Sequence, residues 1–533
     1  MGSIQRALAV ALIILSISDA TAQVPADRIF AGRFEQPRGI VLWIADDLGA
    51  ISTPAYSDVY PASSYADLRV FDKICDSGVR FQNVWSSPMC TPTRGSILTG
   101  RYGFRTNLGG AQTTTANLQP DIRPAEAQWS LPNLIALYGN PQTQLASYGK
   151  WHLGVGPAID GNCAPYTFGW DRYGGKIEGA QLDSYQNWEY HSALPPTQGG
   201  SPCSEGVETV TRYATARNVD DAIAFVQSIG DAPFVLWLAF NAPHSPWQIP
   251  PPLPGGLTPM WSVPTGNPRP DYLTWYNEVP ECTDTACSTD ISSNTPWFEA
   301  MASNMDFEFD RLMQALGAPS GSIPSDVLVI AIGDNGTDNR AMPTAVGGVP
   351  LNQGMPAKQT VYEQGVRVPL CAAGGGVNYS GNVTDPVNLV DLYATILEAA
   401  GVPENVWRAH VQQVAPGTRH DSQSLWPYLN GVRAPQPREV IYTEIFNFAL
   451  ATQSAAMSDG RYKYLRFVED TVPPNLPKCF DLQDPANSPS ETVDLLADGN
   501  PNNDGTCASL RLRMTNLVCS ESYPGFPWTS WCD

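Results

Sequence analysis

Basic residues are scarce: 31 lysines and arginines stand against 52 aspartates and glutamates in 533 residues, a formal net charge of −21 at pH 7. A chain of that sign repels nucleic acid and anionic lipid and lacks the basic stripe that a phosphate-backbone binder requires, so nucleic acid is excluded as a partner. Long apolar runs are missing as well. The run at residues 7–17 falls short of the ~20 residues that cross a bilayer, and no later run is long enough, so no stable membrane insertion is expected. Internal repeats and low-complexity tracts are absent, which rules out a repeat architecture. Histidine is rare too, with five in the chain, so any that falls inside a motif carries weight.

What is present is globular. Hydrophobic residues make up 43% and charged residues 16%, too apolar a balance for a disordered chain. The length allows a large α/β domain with a smaller companion. Residues 1–22 have a short polar start, an apolar stretch and Ala20-Thr21-Ala22, the pattern of a signal peptide cleaved near Ala22. The mature protein is expected to be exported, periplasmic or secreted. Eleven cysteines in such a chain imply disulfides, yet the count is odd, so at least one thiol has another fate.

Three short apolar runs, residues 40–44, 234–240 and 327–332, suit strands of a parallel sheet covered on both faces. Polar residues follow each at once: Asp46 and Asp47, then Asn241 and His244, then Asp334 and Asn335. In open α/β sheets ligands bind beyond the carboxyl ends of the strands, so these tails are expected to converge. Helical periodicity at 218–227, 298–316 and 389–400 alternates with the strands. Pro- and Gly-rich tracts at 246–270 and 333–354 read as loops, and 431–437 as a linker. Beyond it, strands at 440–446 and 462–468 and a Cys-rich tail suggest a small α+β domain. The expected layout is a catalytic domain over 23–434, with a large, mostly parallel sheet flanked by helices, and an α+β domain over 435–533 with an antiparallel sheet.

Cys90 lies two residues before Pro92, a favourable position for opening a helix, where free amides favour an anion. Arg94 falls one turn on, on the same face. The alternative is a disulfide cysteine near a surface arginine. For this composition roughly 0.06 chance occurrences of C-x-P-x-R are expected, and here the pattern continues into Leu98-Thr99-Gly100. The chain thus resembles the formylglycine-dependent sulfatases of the alkaline phosphatase superfamily, whose signature is C-x-P-x-R-x-x-x-L-T-G. Further family-like segments at 391–397, 424–427 and 458–463 extend the likeness into the C-terminal region.

That resemblance implies a site. Asp46 and Asp47 in D-D-L-G, with Asp334 and Asn335 in G-D-N-G, look like ligands of one divalent cation, completed by the modified Cys90. Such hard oxygen donors suit Ca²⁺, with Mg²⁺ the alternative. Lys150 and His152 in G-K-W-H-L-G, His244 in A-P-H-S-P, and Lys358 resemble the family's sulfate-binding and proton-transfer residues. His191, His410 and His420 read as structural. By the same resemblance Cys90 is converted to formylglycine by a separate generating enzyme. The expected mechanism has the hydrated aldehyde, polarised by the cation and held by Arg94, attack sulfur, with Lys150, Lys358 and the cation neutralising the sulfuryl oxygens, His244 protonating the departing alcohol, and deprotonation of the remaining hydroxyl by His152 expelling sulfate. Substrates would be sulfated polysaccharides or small aryl sulfates.

Removing Cys90 from the count leaves ten cysteines that can pair. Cys282 with Cys287 and Cys163 with Cys203 are local candidates, although connectivity stays open. The sequon at Asn335 should remain bare because a glycan there would collide with metal binding, unlike those at Asn378 and Asn382. Two departures from the family pattern stand out: Gln364 replaces a glycine of E-G-G, adding bulk beside the cleft, and Gly333 precedes Asp334 where serine is common. A phosphate- or phosphonate-ester hydrolase of the same superfamily, or an inactive carbohydrate-binding relative, remain the alternatives.

Overall fold

In the computed structural model, the described residues are 36–111, 122–154, 163–177, 184–195, 203–248, 291–343, 356–431, 433–446, 453–468, 476–484, 491–497, 505–520 and 531–532, with a few isolated positions between them. The expected signal peptide, the pair Cys282 and Cys287, and most of the 246–270 loop lie outside them.

Apolar β-branched runs without alternation become the middle of a ten-stranded mixed sheet. At its centre lie five parallel strands, in the spatial order Val327–Gly333, Gly39–Ala45, Phe234–Ala239, Gln144–Lys150 and Arg172–Lys176. Antiparallel neighbours extend both flanks: Leu370–Gly374 pairs with Val327–Gly333 on one side, and Trp188–Leu194 with Arg172–Lys176 on the other. The three strands read from the sequence are all central, which is why they carry no polar face.

Alternate residues of Gly39–Ala45 feed two separate cores. Val41, Trp43 and Ala45 pack under the helices Arg69–Ser77, Ala214–Ile229 and Ile291–Ala315, while Ile40, Leu42 and Ile44 meet Leu131–Tyr138 and Asp391–Ala399. Trp43 stacks on Phe309 with ring centroids 4.1 Å apart, pinning the Ile291–Ala315 helix to the sheet by about 0.5–1.5 kcal/mol beyond its buried area.

A second, four-stranded antiparallel sheet follows, in the order Ile441–Ile445, Ser454–Ser458, Tyr462–Phe467 and Lys478–Asp481. The helix Gly505–Cys519 covers one face of it, through Leu510, Met514 and Val518. The expected fold class is therefore observed. The tract at 333–354 is not wholly loop: Ala345–Val346 and Val349–Pro350 form a minimal antiparallel pair, and Val346 also bridges to Ala62. Neither strand has the length for periodicity to signal it.

Among the described residues four disulfides are formed: Cys75–Cys371, Cys163–Cys203, Cys479–Cys507 and Cys519–Cys532. The first joins residues 296 apart in sequence and could not be chosen from spacing. Among the described residues no helix is long and apolar enough to cross a membrane.

Candidate active site

Five parallel strands in register end at one edge of the sheet, and the polar tails foreseen from the sequence meet there. Asp46 and Asp47 leave Gly39–Ala45, Asp334 and Asn335 leave Val327–Gly333, Lys150 closes Gln144–Lys150, and His244 follows Phe234–Ala239. Backbone bonds lock the tails together: Asp334 N–H donates to Ala45 O at 3.0 Å and Asp46 N–H to Ala242 O at 3.0 Å.

Cys90 is the first residue of the helix Cys90–Thr99, 1% exposed, and the one cysteine outside a disulfide among the described residues. The Lys150 ammonium lies 3.5 Å from its Sγ and also forms an ion pair with Asp46. Arg94, fully buried one turn on, donates from Nε and Nη2 to Asp334 Oδ2 at 3.0 and 2.8 Å, and from Nη1 to Lys150 O at 2.8 Å. The guanidinium thus fastens Asp334 and the end of the Lys150 strand, while Lys150 is the cation at hydrogen-bonding distance from the thiol.

Asp47 forms the other half of the cluster. The Lys358 ammonium donates to its Oδ2 at 2.8 Å, Asn335 Nδ2 donates to its Oδ1 at 2.8 Å, and His244 Nε2 stands 3.7 Å from Oδ2. Its φ of 68° is left-handed, a strained value for a non-glycine residue, and His152 shares that feature at 56°. His152 is buried, and its carbonyl accepts from Thr91 Oγ1 at 2.9 Å, beside Cys90. Each sequence-predicted residue is accordingly in or against one cluster.

Burial and charge then set the protonation states. Burial raises the Cys90 thiol to about 12 despite Lys150 and Lys358, so the unmodified side chain is a neutral thiol at pH 7. Burial also works against ionisation of Asp47, but Lys358 and His244 overcome it and hold the carboxyl at about 2. Asp334 rises to about 6, through burial and then the adjacent Asp46, against the pull of Arg94. His244 drops to about 4, through burial and then Lys358.

The donor set suits a hard divalent cation. Asp46 Oδ1 and Asn335 Oδ1 are buried acceptors with no hydrogen-bond partner among the described residues, an arrangement that costs ~1–3 kcal/mol per group unless a ligand completes it. The ligand atoms of Asp46, Asp47, Cys90 and His244 fall within 4.8 Å of one another. With Asp334 the carboxylates number three and balance three cations, Arg94, Lys150 and Lys358. A dication would therefore make the pocket net positive, the sign an anionic ester needs.

Sequence reading missed Tyr185, whose buried hydroxyl donates to the carbonyl oxygens of Asn241 at 2.5 Å and His244 at 2.8 Å, holding the His244 turn from beneath. A lone tyrosine almost sixty residues upstream leaves no motif to find. Gln364 is buried at 3% exposure, with its backbone carbonyl against Gly336, the neighbour of Asn335. Asn335 is fully buried, so its sequon offers no accessible amide, whereas Asn382 is exposed. His191 bonds Glu189 at 2.7 Å, His410 bonds Tyr138 at 2.9 Å, and His420 stacks on Tyr393, all away from the cluster.

Comparison with known proteins gives a consistent picture. A model of the sulfatase family matches residues 38–402. Arylsulfatase A of Homo sapiens is 25% identical over 425 residues, spanning 76% of this chain and 70% of its own, and a sulfatase of Formosa agariphila is 24% identical over 543, spanning 91% and 88%. Among solved structures, Ps i-CgsB in complex with k-i-k-neocarrahexaose aligns with TM-score 0.64 at 20% identity, covering 93% of this chain and 98% of that one. Another, solved with its substrate D-glucosamine-2-N,6-O-disulfate, aligns with TM-score 0.59 at 16% identity, covering 91% and 98%.

Proposed function

Because this chain belongs to the sulfatase family of the alkaline phosphatase superfamily, we propose that its sulfate-ester hydrolysis runs through a formylglycine made from Cys90 by a separate maturation enzyme, aided by one divalent cation, Ca²⁺ or Mg²⁺. The observation that carries this reading is the state of Cys90. A buried thiol at about 12 is a poor nucleophile, yet it occupies a helix start beside Lys150, with unsatisfied hard oxygen acceptors in the same cluster. Conversion explains why so inert a thiol stands beside Lys150 at the centre of a charged cluster. In hydrated form the aldehyde supplies a nucleophilic oxygen together with a second hydroxyl, whose deprotonation re-forms the C=O bond and expels sulfate from the same carbon. A bound cation, held by Asp46, Asp47, Asp334, Asn335 and residue 90, would polarise that oxygen and neutralise charge on the sulfuryl group.

Access favours one orientation of the ester. Arg94 and Lys150 side chains are fully buried, whereas those of Lys358 and His244 keep 8% exposure at the rim. The sulfate belongs inward, against Lys150 and Lys358, and the alcohol outward, past His244. His244 Nδ1 faces Ser245 O at 2.7 Å, so its N–H is donated there and Nε2 is the atom that exchanges a proton with the leaving oxygen. At about 4 the free imidazole is neutral at pH 7. An anionic ester seated beside it favours the charged form and so loads the proton when substrate binds. His152, on the Thr91 side of Cys90, is suited to removing a proton as sulfate departs.

For the substrate class we favour sulfated carbohydrate, because structural neighbours were solved with neocarrahexaose and with a disulfated glucosamine. Small aryl sulfates serve as assay substrates. The four disulfides and the residues 1–22 pattern support export. The decisive experiment is the mass of the proteolytic peptide containing residue 90, taken with turnover of paired aryl sulfate and aryl phosphate. Formylglycine and sulfate preference are expected; an intact thiol in fully active enzyme overturns the mechanism, and phosphate preference supports the phosphoesterase alternative.

A further inference from the structure

A second buried charged cluster lies where the antiparallel sheet meets the segment that carries Lys358. Lys463, fully buried on the strand Tyr462–Phe467, places its ammonium 3.0 Å from Glu363 Oε1 and 2.9 Å from Glu491 Oε1, and 4.8 Å from the Trp85 ring centre. Arg367 pairs with Glu363 Oε2 at 2.8 Å, and the Glu363 amide donates to Glu491 Oε2. One residue earlier, Tyr362 receives Lys478 on its hydroxyl at 2.9 Å. Three residues of the C-terminal sheet region, Lys463, Lys478 and Glu491, therefore grip Tyr362 and Glu363.

The gripped segment is stitched to the active site on its other sides. Gln359 N–H donates to Pro88 O at 3.0 Å, two residues before Cys90. Gly336 N–H, next to Asn335, donates to Gly365 O at 3.0 Å, and Lys358 N–H to Thr337 O at 3.3 Å. Gly365 has no room for a side chain: an added Cβ would stand 2.1 Å from Thr360 O and 2.4 Å from Ala357 O. Gln359 takes a left-handed φ of 73°. A turn this tightly folded moves as a unit, so what fixes Glu363 also fixes Lys358.

We propose that Lys463, acting with Glu491, is a positioning residue: through Glu363 it holds the 357–367 turn so that the Lys358 ammonium stays against Asp47. This rests on the role given above to Lys358, and it makes the C-terminal sheet a working part of the catalytic centre rather than an appendage. The ion pairs close on one another, leaving the cluster no charge to offer a ligand, which suits support better than binding.

The test is a double-mutant cycle on the purified full chain with an aryl sulfate. Lys463→Met should lower kcat/KM roughly 10–100-fold, with Lys463→Arg restoring most of it, while in a Lys358→Ala background the same Lys463→Met change should matter less than about 2-fold. An equal loss in both backgrounds, or a folded Lys463→Met enzyme with unchanged kinetics, overturns the inference. Glu491→Gln is the milder arm and should show the same coupling to Lys358. If neither variant folds, the cluster only stabilises the chain and the inference is lost. Failure of the wild-type enzyme to turn over sulfate, or a Lys358→Ala enzyme with full activity, would sink the reading of Lys358 itself and is distinguishable from these outcomes.

Discussion

Two of the buried charged clusters among the described residues, one around Cys90 and one around Lys463, each balance to zero net charge, and they differ in what they leave undone. Around Lys463, every carboxylate oxygen not hydrogen-bonded faces a cation at 2.8–2.9 Å, as Glu363 Oε2 does with Arg367 and Glu491 Oε1 with Lys463. Around Cys90, Asp46 Oδ1 and Asn335 Oδ1 have no partner among the described residues. A cluster that closes on itself supplies rigidity. One that stays open at hard oxygen atoms is built to receive something.

The largest expected effect attacks the open cluster directly. Cys90→Ser should lower multiple-turnover hydrolysis of an aryl sulfate by at least about 10³-fold, because a serine ester adduct has no second hydroxyl through which to release sulfate. Steady-state turnover in that variant at the wild-type rate would end the distinction between the clusters.

Metal removal comes next. Chelation should abolish activity and lower the thermal midpoint, with added Ca²⁺ or Mg²⁺ restoring both, since a ligand at 100 times its Kd adds about 2.7 kcal/mol to the folded state. Asp46→Asn should blunt that response and reduce activity by roughly 10–100-fold. A chelator-insensitive wild-type enzyme would mean that the open oxygens do not hold a cation.

For the closed cluster, Glu491→Ala should cost about 3 kcal/mol in denaturant unfolding by leaving Lys463 half-paired, with the chelator response intact. Were the unfolding midpoint unmoved, the cluster would not be the brace that its geometry describes.

The smallest effect concerns a single buried acid. Glu444 is fully buried under Tyr442 and the Phe104 amide, and burial raises its carboxyl to about 8 from an ordinary 4.5. A raised folded value gives stability that is fully present below about 4.5 and lost as pH climbs towards 8, because the folded state then holds the extra proton. Glu444→Gln should therefore raise the thermal midpoint at pH 8 by an amount worth ~1–3 kcal/mol, a gain that shrinks at pH 4.5. Equal shifts at both pH values would refute the protonated assignment.

Much of the first cluster was legible beforehand because parallel strands announce themselves. Residues 40–44, 234–240 and 327–332 are apolar on both faces, and whatever follows such strands must emerge at the same edge. The polar dipeptides after them thus met without any knowledge of long-range contacts. Cys90 and Arg94 were readable for a local reason, the spacing of one helical turn behind Pro92. The second cluster had no such signal. Lys463 was visible only as part of a family-like string, and Glu491 and Tyr185 not at all, since each acts through a partner about thirty to a hundred and thirty residues away.

Sequence alone determined the chemistry on offer: an odd cysteine, a cationic neighbour one turn on, carboxylates at strand ends and an acidic exterior. Tertiary structure decided how those groups are used. It gave Arg94 to Asp334 and Lys150 to the thiol, buried Gln364, and closed Lys463 against Glu363 and Glu491. The reason is physical. Residue type and local spacing specify what a side chain can donate or accept, but only packing determines which partner it finds and how far water is excluded, and with them its charge state.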